Sequence, residues 1–152
     1  MADTRTGCSV AATLAVIGER WTMLVLREAF YGVRRFDDFQ RHLGVARNVL
    51  TARLATLVEH GLLLRTPYRE PGRRERHEYR LTAKGRELLP AIIALMQWGD
   101  AHLAGPEGPP VTIAHRCCGE PVRAELVCAA GHGQLSAREV VAQARSGLLS
   151  SS

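Results

Sequence analysis

Several features are missing from this chain of 152 residues. No apolar run is long enough to span a bilayer. The best candidate, residues 10–17, is followed at once by Glu19 and Arg20, and a spanning helix needs about 20 apolar residues. The start of the chain has no basic n-region and no clear cleavage site, so the expectation is a cytoplasmic protein that does not engage a membrane. There is no Gly-rich phosphate loop after a strand, no nucleophile elbow and no pair of carboxylates. An enzyme built on this sequence would have to work through a cysteine. No internal repeat is visible. Lysine is nearly absent: Lys84 is the only one, and arginine carries the basic charge. That bias suits the forked recognition of phosphate and equally suits a GC-rich genome.

What is present fits a globular protein. Apolar residues make up 46% and charged residues 23%, and a chain of this length can bury a core without staples. Net charge is +5, which favours an anionic partner. Its placement says more than its size. Arg65 to Arg86 holds eight basic and three acidic residues, so this one segment accounts for the net charge of the whole protein.

The stretch from Arg35 to Gly61 predicts a helix-turn-helix. Phe36, Phe39 and Leu43 share one face of a short helix, and Gly44 supplies the turn. Leu50, Leu54, Leu57 and Val58 share one face of the next helix. The opposite face of that second helix carries Asn48, Thr51, Ala52 and Ala55, with Arg47 at its shoulder. Asn suits adenine, Arg suits guanine, and Thr suits a base edge or a methyl. In a helix-turn-helix this end of the second helix enters the major groove. Taken alone, the segment equally describes an amphipathic hairpin with a solvated polar face.

Two helices are expected before it, Cys8–Ile17 and Arg20–Tyr31, the second with Trp21, Leu24, Val25 and Ala29 on its buried stripe. After it, residues 62–68 read as a strand, 69–75 as a turn and 76–81 as a returning strand. A hairpin directly after a helix-turn-helix is a wing, and Arg69, Arg73, Arg74 and Arg76 at its tip are placed for phosphate. Thr82 is a good cap for a long helix from Ala83 to about Leu103, in which Pro90 demands a kink or a later start. The apolar surplus of that helix suggests a dimer surface formed with the first helix. Residues 105–110 form a Gly/Pro linker. A second small unit follows, with strand-like stretches at 111–114 and 124–128 and a short helix at 136–143. The segment from Gly147 onward is expected to be disordered. The organisation expected is therefore 1–104, 105–110, 111–145 and 146–152. The fold class is mainly α with a β-hairpin wing (winged helix-turn-helix), plus a small C-terminal β-rich extension of zinc-ribbon-like character.

The segments CSVAATLAVIGERWTMLVLREAFYGVRRFDDFQ, ARNVLTARLATLVEHGLLLRTPY and HEYRLTAKGRELLPAIIALMQWGD together resemble the HxlR-type winged-helix regulators of bacteria. The resemblance covers about residues 8 to 103. It implies a homodimer on double-stranded DNA, a reading helix that starts at Arg47, and control of a nearby gene, with repression the expected direction. It marks Arg35, Arg47, Asn48, Thr51 and Arg53, with the wing arginines, as the DNA-contacting set. One departure stands out. The family often has Ser where this chain has Ala46, and losing that cap costs roughly 0.5–2 kcal/mol.

Four cysteines in a reducing compartment suggest thiols, metal ligands or redox sensors rather than structural disulfides. Several regulators of the family sense oxidants or quinones through an N-terminal cysteine, and Cys8 matches that position. The alternative is a packed cysteine without chemistry. The tail resembles an extension with His-x-x-Cys-Gly followed by Cys-x-x-Cys. His115, Cys118 and Cys128 match it, Gly131 stands where the fourth ligand would be, and His132 is next to it. Zinc held by His115, Cys118, Cys128 and His132 is one reading. A metal-free hairpin and a redox-active cluster of Cys117, Cys118 and Cys128 are the others. His42, His60, His77 and His102 are dispersed and carry no ligand role. An oxidant or small molecule is the expected signal. The competing functions are a protein-interaction module using the basic hairpin and a Cys-dependent enzyme.

Overall fold

A computed structural model describes residues 7–143. The elements in chain order are α1 (Ser9–Ile17), α2 (Arg20–Phe30), α3 (Phe36–Leu43), α4 (Arg47–Glu59), β1 (Leu63–Tyr68), β2 (Arg76–Leu81), α5 (Ala83–Arg86) and α6 (Leu89–His102). They belong to two compact units, one up to Ile92 and one from Ile93. No single helix among the described residues is long and apolar enough to cross a membrane.

In the first unit, α3 ends at Gly44, whose φ of 62° lies in the left-handed region and whose N–H donates to Gln40 O at 2.9 Å. A β-carbon is disfavoured there, so glycine sets the sharp reversal into α4. The stripe Leu50, Leu54 and Leu57 is fully buried, as its spacing predicts, and packs in the core that also holds Phe39 and Val45. α2 presents a rotated face. Thr22, Val25, Leu26, Glu28 and Ala29 are buried, whereas Trp21 and Leu24 of the expected stripe are only half-buried. The carboxylate that takes an inward place on this face is satisfied. Glu28 accepts from Arg27 Nη2 at 2.6 Å, and its other oxygen lies 2.9 Å from His42 Nδ1 on α3. A buried charge persists only when paired in this way.

The wing is a two-stranded antiparallel ladder from Leu63↔Leu81 to Tyr68↔Arg76. Pro67 lacks an N–H and sits in β1, whose outer edge has no ladder partner among the described strands, a place where proline is tolerated. β2 also meets the chain ahead of α3: Arg35 bridges Glu78, and Tyr79 N–H donates to Arg34 O at 2.8 Å. The wing is thereby tied to the start of the helix-turn-helix.

The single long helix expected from Ala83 is instead a short α5 and a separate α6. Thr82 does cap α5, accepting from Gly85 N–H, but the helix stops before Pro90. α6 begins at Leu89, so the proline falls in its first turn, where no intrahelical N–H is lost. In the second unit, Gln97 on α6 holds the tail: its Nε2 donates to Val122 O at 3.1 Å and its Oε1 accepts from Ala124 N–H at 2.9 Å. The β-rich extension does not form. Among the described residues the only pairing in the tail is an isolated bridge, Ala114↔Pro121. The helix expected at 136–143 is a single turn, closed by Glu139 accepting from Ser136 N–H and Oγ. The segment from Gly147 lies outside the described residues.

Candidate nucleic-acid interface

The exposed side of α4 carries Arg47, Asn48, Thr51, Ala52 and Ala55. Ala46 is its N-cap residue and makes no side-chain cap bond, as its chemistry requires. The Thr51 hydroxyl donates to Arg47 O at 2.9 Å, and the residue is exposed. Arg47 is 69% exposed. Its guanidinium lies over the Phe36 ring at 4.6 Å and reaches Gln40 Oε1 at 3.5 Å. The head group is thus steered without being buried, and remains available to a partner.

Arg53, the fourth residue expected on this face, points elsewhere. Its side chain is 33% exposed, and its Nε lies 3.1 Å from Glu19 Oε2. The geometry is off-axis for a directional hydrogen bond, so the contact is an ion pair. Glu19 caps α2 by accepting from Thr22 N–H at 3.0 Å. Partial burial pushes the Glu19 carboxyl up, but the N–H groups of Thr22 and Trp21, the Arg53 charge and the Thr22 hydroxyl outweigh it and hold the carboxyl below its ordinary value. Arg53 therefore braces α4 against the start of α2.

Between the start of α3, Arg47 and the wing lies a cleft of about 570 Å³, lined by Arg35, Phe36, Asp37, Arg47, Tyr68 and Arg76 among others. Arg35 lies over the Tyr68 ring at 4.6 Å and pairs with Glu70 Oε1 at 2.8 Å. Arg73 Nε sits 3.8 Å from Glu70 Oε2, and Arg69 Nε donates to Arg73 O at 3.3 Å. Arg76 Nη1 lies 3.4 Å from Asp37 Oδ2. Arg74 is exposed. The reading helix and the wing thus border one arginine-rich cleft. Asp37, Phe36 and Tyr68 belong to it, Glu70 pairs with Arg35 and Arg73, and all four are absent from the set legible in the sequence. The signal for the acids was their interleaving with arginines that must find counter-ions.

Cys8 is the N-cap residue of α1 and is half-buried, with a free thiol. The tail residues form two separate pairs. His115 Nδ1 lies 3.1 Å from Cys118 Sγ, and Cys128 Sγ lies 3.2 Å from His132 Nδ1. Structural zinc needs four donors converging on one point at roughly 2.0–2.3 Å. Among the described residues no three His, Cys, Asp or Glu form a group that could hold a metal ion. The four-ligand set expected from the sequence is therefore not assembled, and the residues do not fit zinc.

A family model described as HxlR-like helix-turn-helix matches residues 16–106. An HTH-type transcriptional regulator of Mycobacterium tuberculosis is 52% identical over 134 residues, covering 88% of this chain and 84% of the relative. Among solved structures, the transcription factor PA1607 is 39% identical with a TM-score of 0.79, covering 91% of this chain and 96% of that one. The redox regulator HypR in its oxidised form is 30% identical with a TM-score of 0.58, covering 64% of this chain and all of that one. These relatives are regulators of transcription and not enzymes, and the chain belongs to the HxlR-like helix-turn-helix family of DNA-binding transcriptional regulators.

Proposed function

We propose that the protein is a homodimeric repressor that reads a palindromic operator with the start of α4 and grips the backbone with its wing. The observation that carries this reading is the shared cleft. Arg47 from the start of α4 lines it together with Arg35 and Arg76, while Asn48 and Thr51 on α4 and Arg69, Arg73 and Arg74 on the wing are exposed. Base contacts from α4 would specify the site, and wing contacts would position it. The uncapped first turn of α4 adds backbone N–H groups suited to a phosphate.

Dimerisation is supported by apolar side chains left uncovered. α1 exposes Val10 and Leu14, and α6 separately exposes Leu95 and Trp98. Burying such residues against a second copy removes their apolar area from water. A two-fold dimer then presents two reading helices to half-sites about 34 Å apart. Thiol oxidation at Cys8, placed at the start of α1, is the signal favoured here. Its support is the position of the thiol and the likeness to HypR, a redox regulator known in reduced and oxidised forms. Oxidation at the end of a dimer helix would shift the two reading helices out of register.

The test is a gel-shift of the full chain on the DNA upstream of its own gene, with and without diamide, for the unsubstituted protein and Cys8→Ser. A sequence-specific shift that diamide abolishes, and that persists under diamide in Cys8→Ser, is expected. A specific shift indifferent to diamide would remove the thiol and leave a small-molecule effector. Absence of a specific shift at any salt concentration would overturn the operator-reading proposal.

A further inference from the structure

The cleft contains two carboxylates that do not behave alike. Asp37 and Asp38 both lie in the first turn of α3, where either charge suits the helix dipole. Asp38 pairs with Arg41 one turn along the same helix, an ordinary surface contact. Asp37 instead faces two arginines from two other elements. Its Oδ1 lies 3.7 Å from Arg47 Nη1 on the reading helix, and its Oδ2 lies 3.4 Å from Arg76 Nη1 on the wing. It remains 60% exposed, so DNA seated on the cleft would meet its charge.

We infer that Asp37 is a specificity-determining residue that restrains Arg47 and Arg76 from sequence-independent phosphate contacts. The inference rests on the reading of α4 and the wing as the DNA-binding elements. A phosphate at an arbitrary register can capture Arg47 or Arg76 only by drawing it away from the carboxylate, and Asp37 also repels that phosphate directly. Arg47 is further held over the Phe36 ring at 4.6 Å, so its head group is oriented before DNA arrives. A base edge at the right position offsets the lost ion pair with a bidentate contact, whereas a misplaced phosphate does not. Asp37 thus lowers affinity for all DNA but lowers it most for the wrong DNA. Discrimination is a difference of affinities, and a built-in repulsive charge widens it.

The test uses the full chain in five forms: unsubstituted, Asp37→Asn, Asp38→Asn, Arg76→Gln, and Arg76→Gln combined with Asp37→Asn. Fluorescence anisotropy on the upstream duplex and on a scrambled duplex of equal composition gives the ratio of the two Kd values across about 50–200 mM salt. Asp37→Asn is expected to tighten binding to the scrambled duplex by about 3- to 10-fold, the size of one charge interaction near 4 Å in water. Its effect on the upstream duplex is smaller, so the ratio falls. The salt slope on scrambled DNA steepens by about one, because one further phosphate is neutralised and sheds its counter-ion. Asp38→Asn leaves the ratio unchanged, and Arg76→Gln reduces the effect of Asp37→Asn. Weakening of both duplexes by the same factor, or no change on either, would overturn the inference and leave Asp37 a helix-end charge. An unsubstituted protein that does not distinguish the duplexes would overturn the operator-reading proposal and this inference together. A discriminating protein whose ratio survives Asp37→Asn would overturn this inference alone.

Discussion

Gly85→Ala should unfold the protein far more readily than a glycine-to-alanine change in a helix ordinarily would. A β-carbon at Gly85 would lie 2.2 Å from Leu62 O and 3.1 Å from Leu81 Cδ2. An ordinary carbon–oxygen approach is about 3.3 Å or more, so the backbones must part by about 1 Å. Leu62 O is not a flexible chain end. It accepts from Thr82 N–H at 3.1 Å, the Thr82 hydroxyl donates to Gly61 O at 2.6 Å, and the same hydroxyl caps α5 at Gly85 N–H. Moving α5 off the base of the wing strains all three bonds. Overpacking costs roughly 1–3 kcal/mol and a weakened cap roughly 0.5–2 kcal/mol. The helix preference of alanine returns about 0.5–1 kcal/mol. The net is a loss of about 2–3 kcal/mol, or roughly 10–20 °C in Tm for a unit of this size. Thermal melts followed by circular dichroism at matched protein concentration read it. Gly99→Ala is the internal control, because a β-carbon there meets nothing within 4 Å and alanine should raise stability by up to about 1 kcal/mol. A Gly85→Ala protein that melts at or above the unsubstituted one would refute the packing argument.

Other outcomes follow from the same geometry. Glu19→Ala should cost about 0.5–2 kcal/mol as a lost cap. Because the folded carboxyl is held below its ordinary value of 4.5, its stabilising contribution is full above that value and disappears as pH falls through the folded one. The difference between Glu19→Gln and the unsubstituted protein in urea unfolding should therefore shrink on acidification, and a constant difference would contradict the assignment. Arg53→Ala should lower stability in a way that is non-additive with Glu19→Ala while leaving base preference intact; a changed preference would restore Arg53 to the reading set. Replacing Arg73, Arg74 and Arg76 with Ala should weaken all DNA similarly and flatten the salt slope by roughly one unit for each phosphate no longer neutralised. An unchanged slope would remove the wing from the mechanism.

The reading unit was legible because its signals are local. Gly44 between two apolar stripes fixes a turn, and the spacing of Leu50, Leu54 and Leu57 fixes which side of α4 is free. The bounds of β2 were readable from the alternation Arg76–Leu81. What escaped depends on partners distant in sequence. The burial of Glu28, which rotates α2, requires His42 from α3, and no periodicity announces that pairing. Arg53 looks like a reader until Glu19 is found beside it. The bridge from Arg35 to Glu78 joins residues far apart in the sequence of the unit. In the tail, alternation at 111–114 and 124–128 suggested strands, but Pro121 has no N–H to donate and Gln97 takes up backbone groups on either side of Arg123. The His and Cys spacings there left a zinc site, a metal-free hairpin and a thiol cluster open, and the residues stand as two pairs.

The central claim is that bases are read by the start of α4. It is tested most directly by selecting binding sites from a random duplex pool with the unsubstituted protein and with Asn48→Ala. The unsubstituted protein should enrich one inverted repeat with half-sites about 34 Å apart. Asn48→Ala should lose preference at a single position in each half-site, at a cost of roughly 1–3 kcal/mol for that base. Enrichment of the same repeat, at the same strength and at every position, by Asn48→Ala would contradict it.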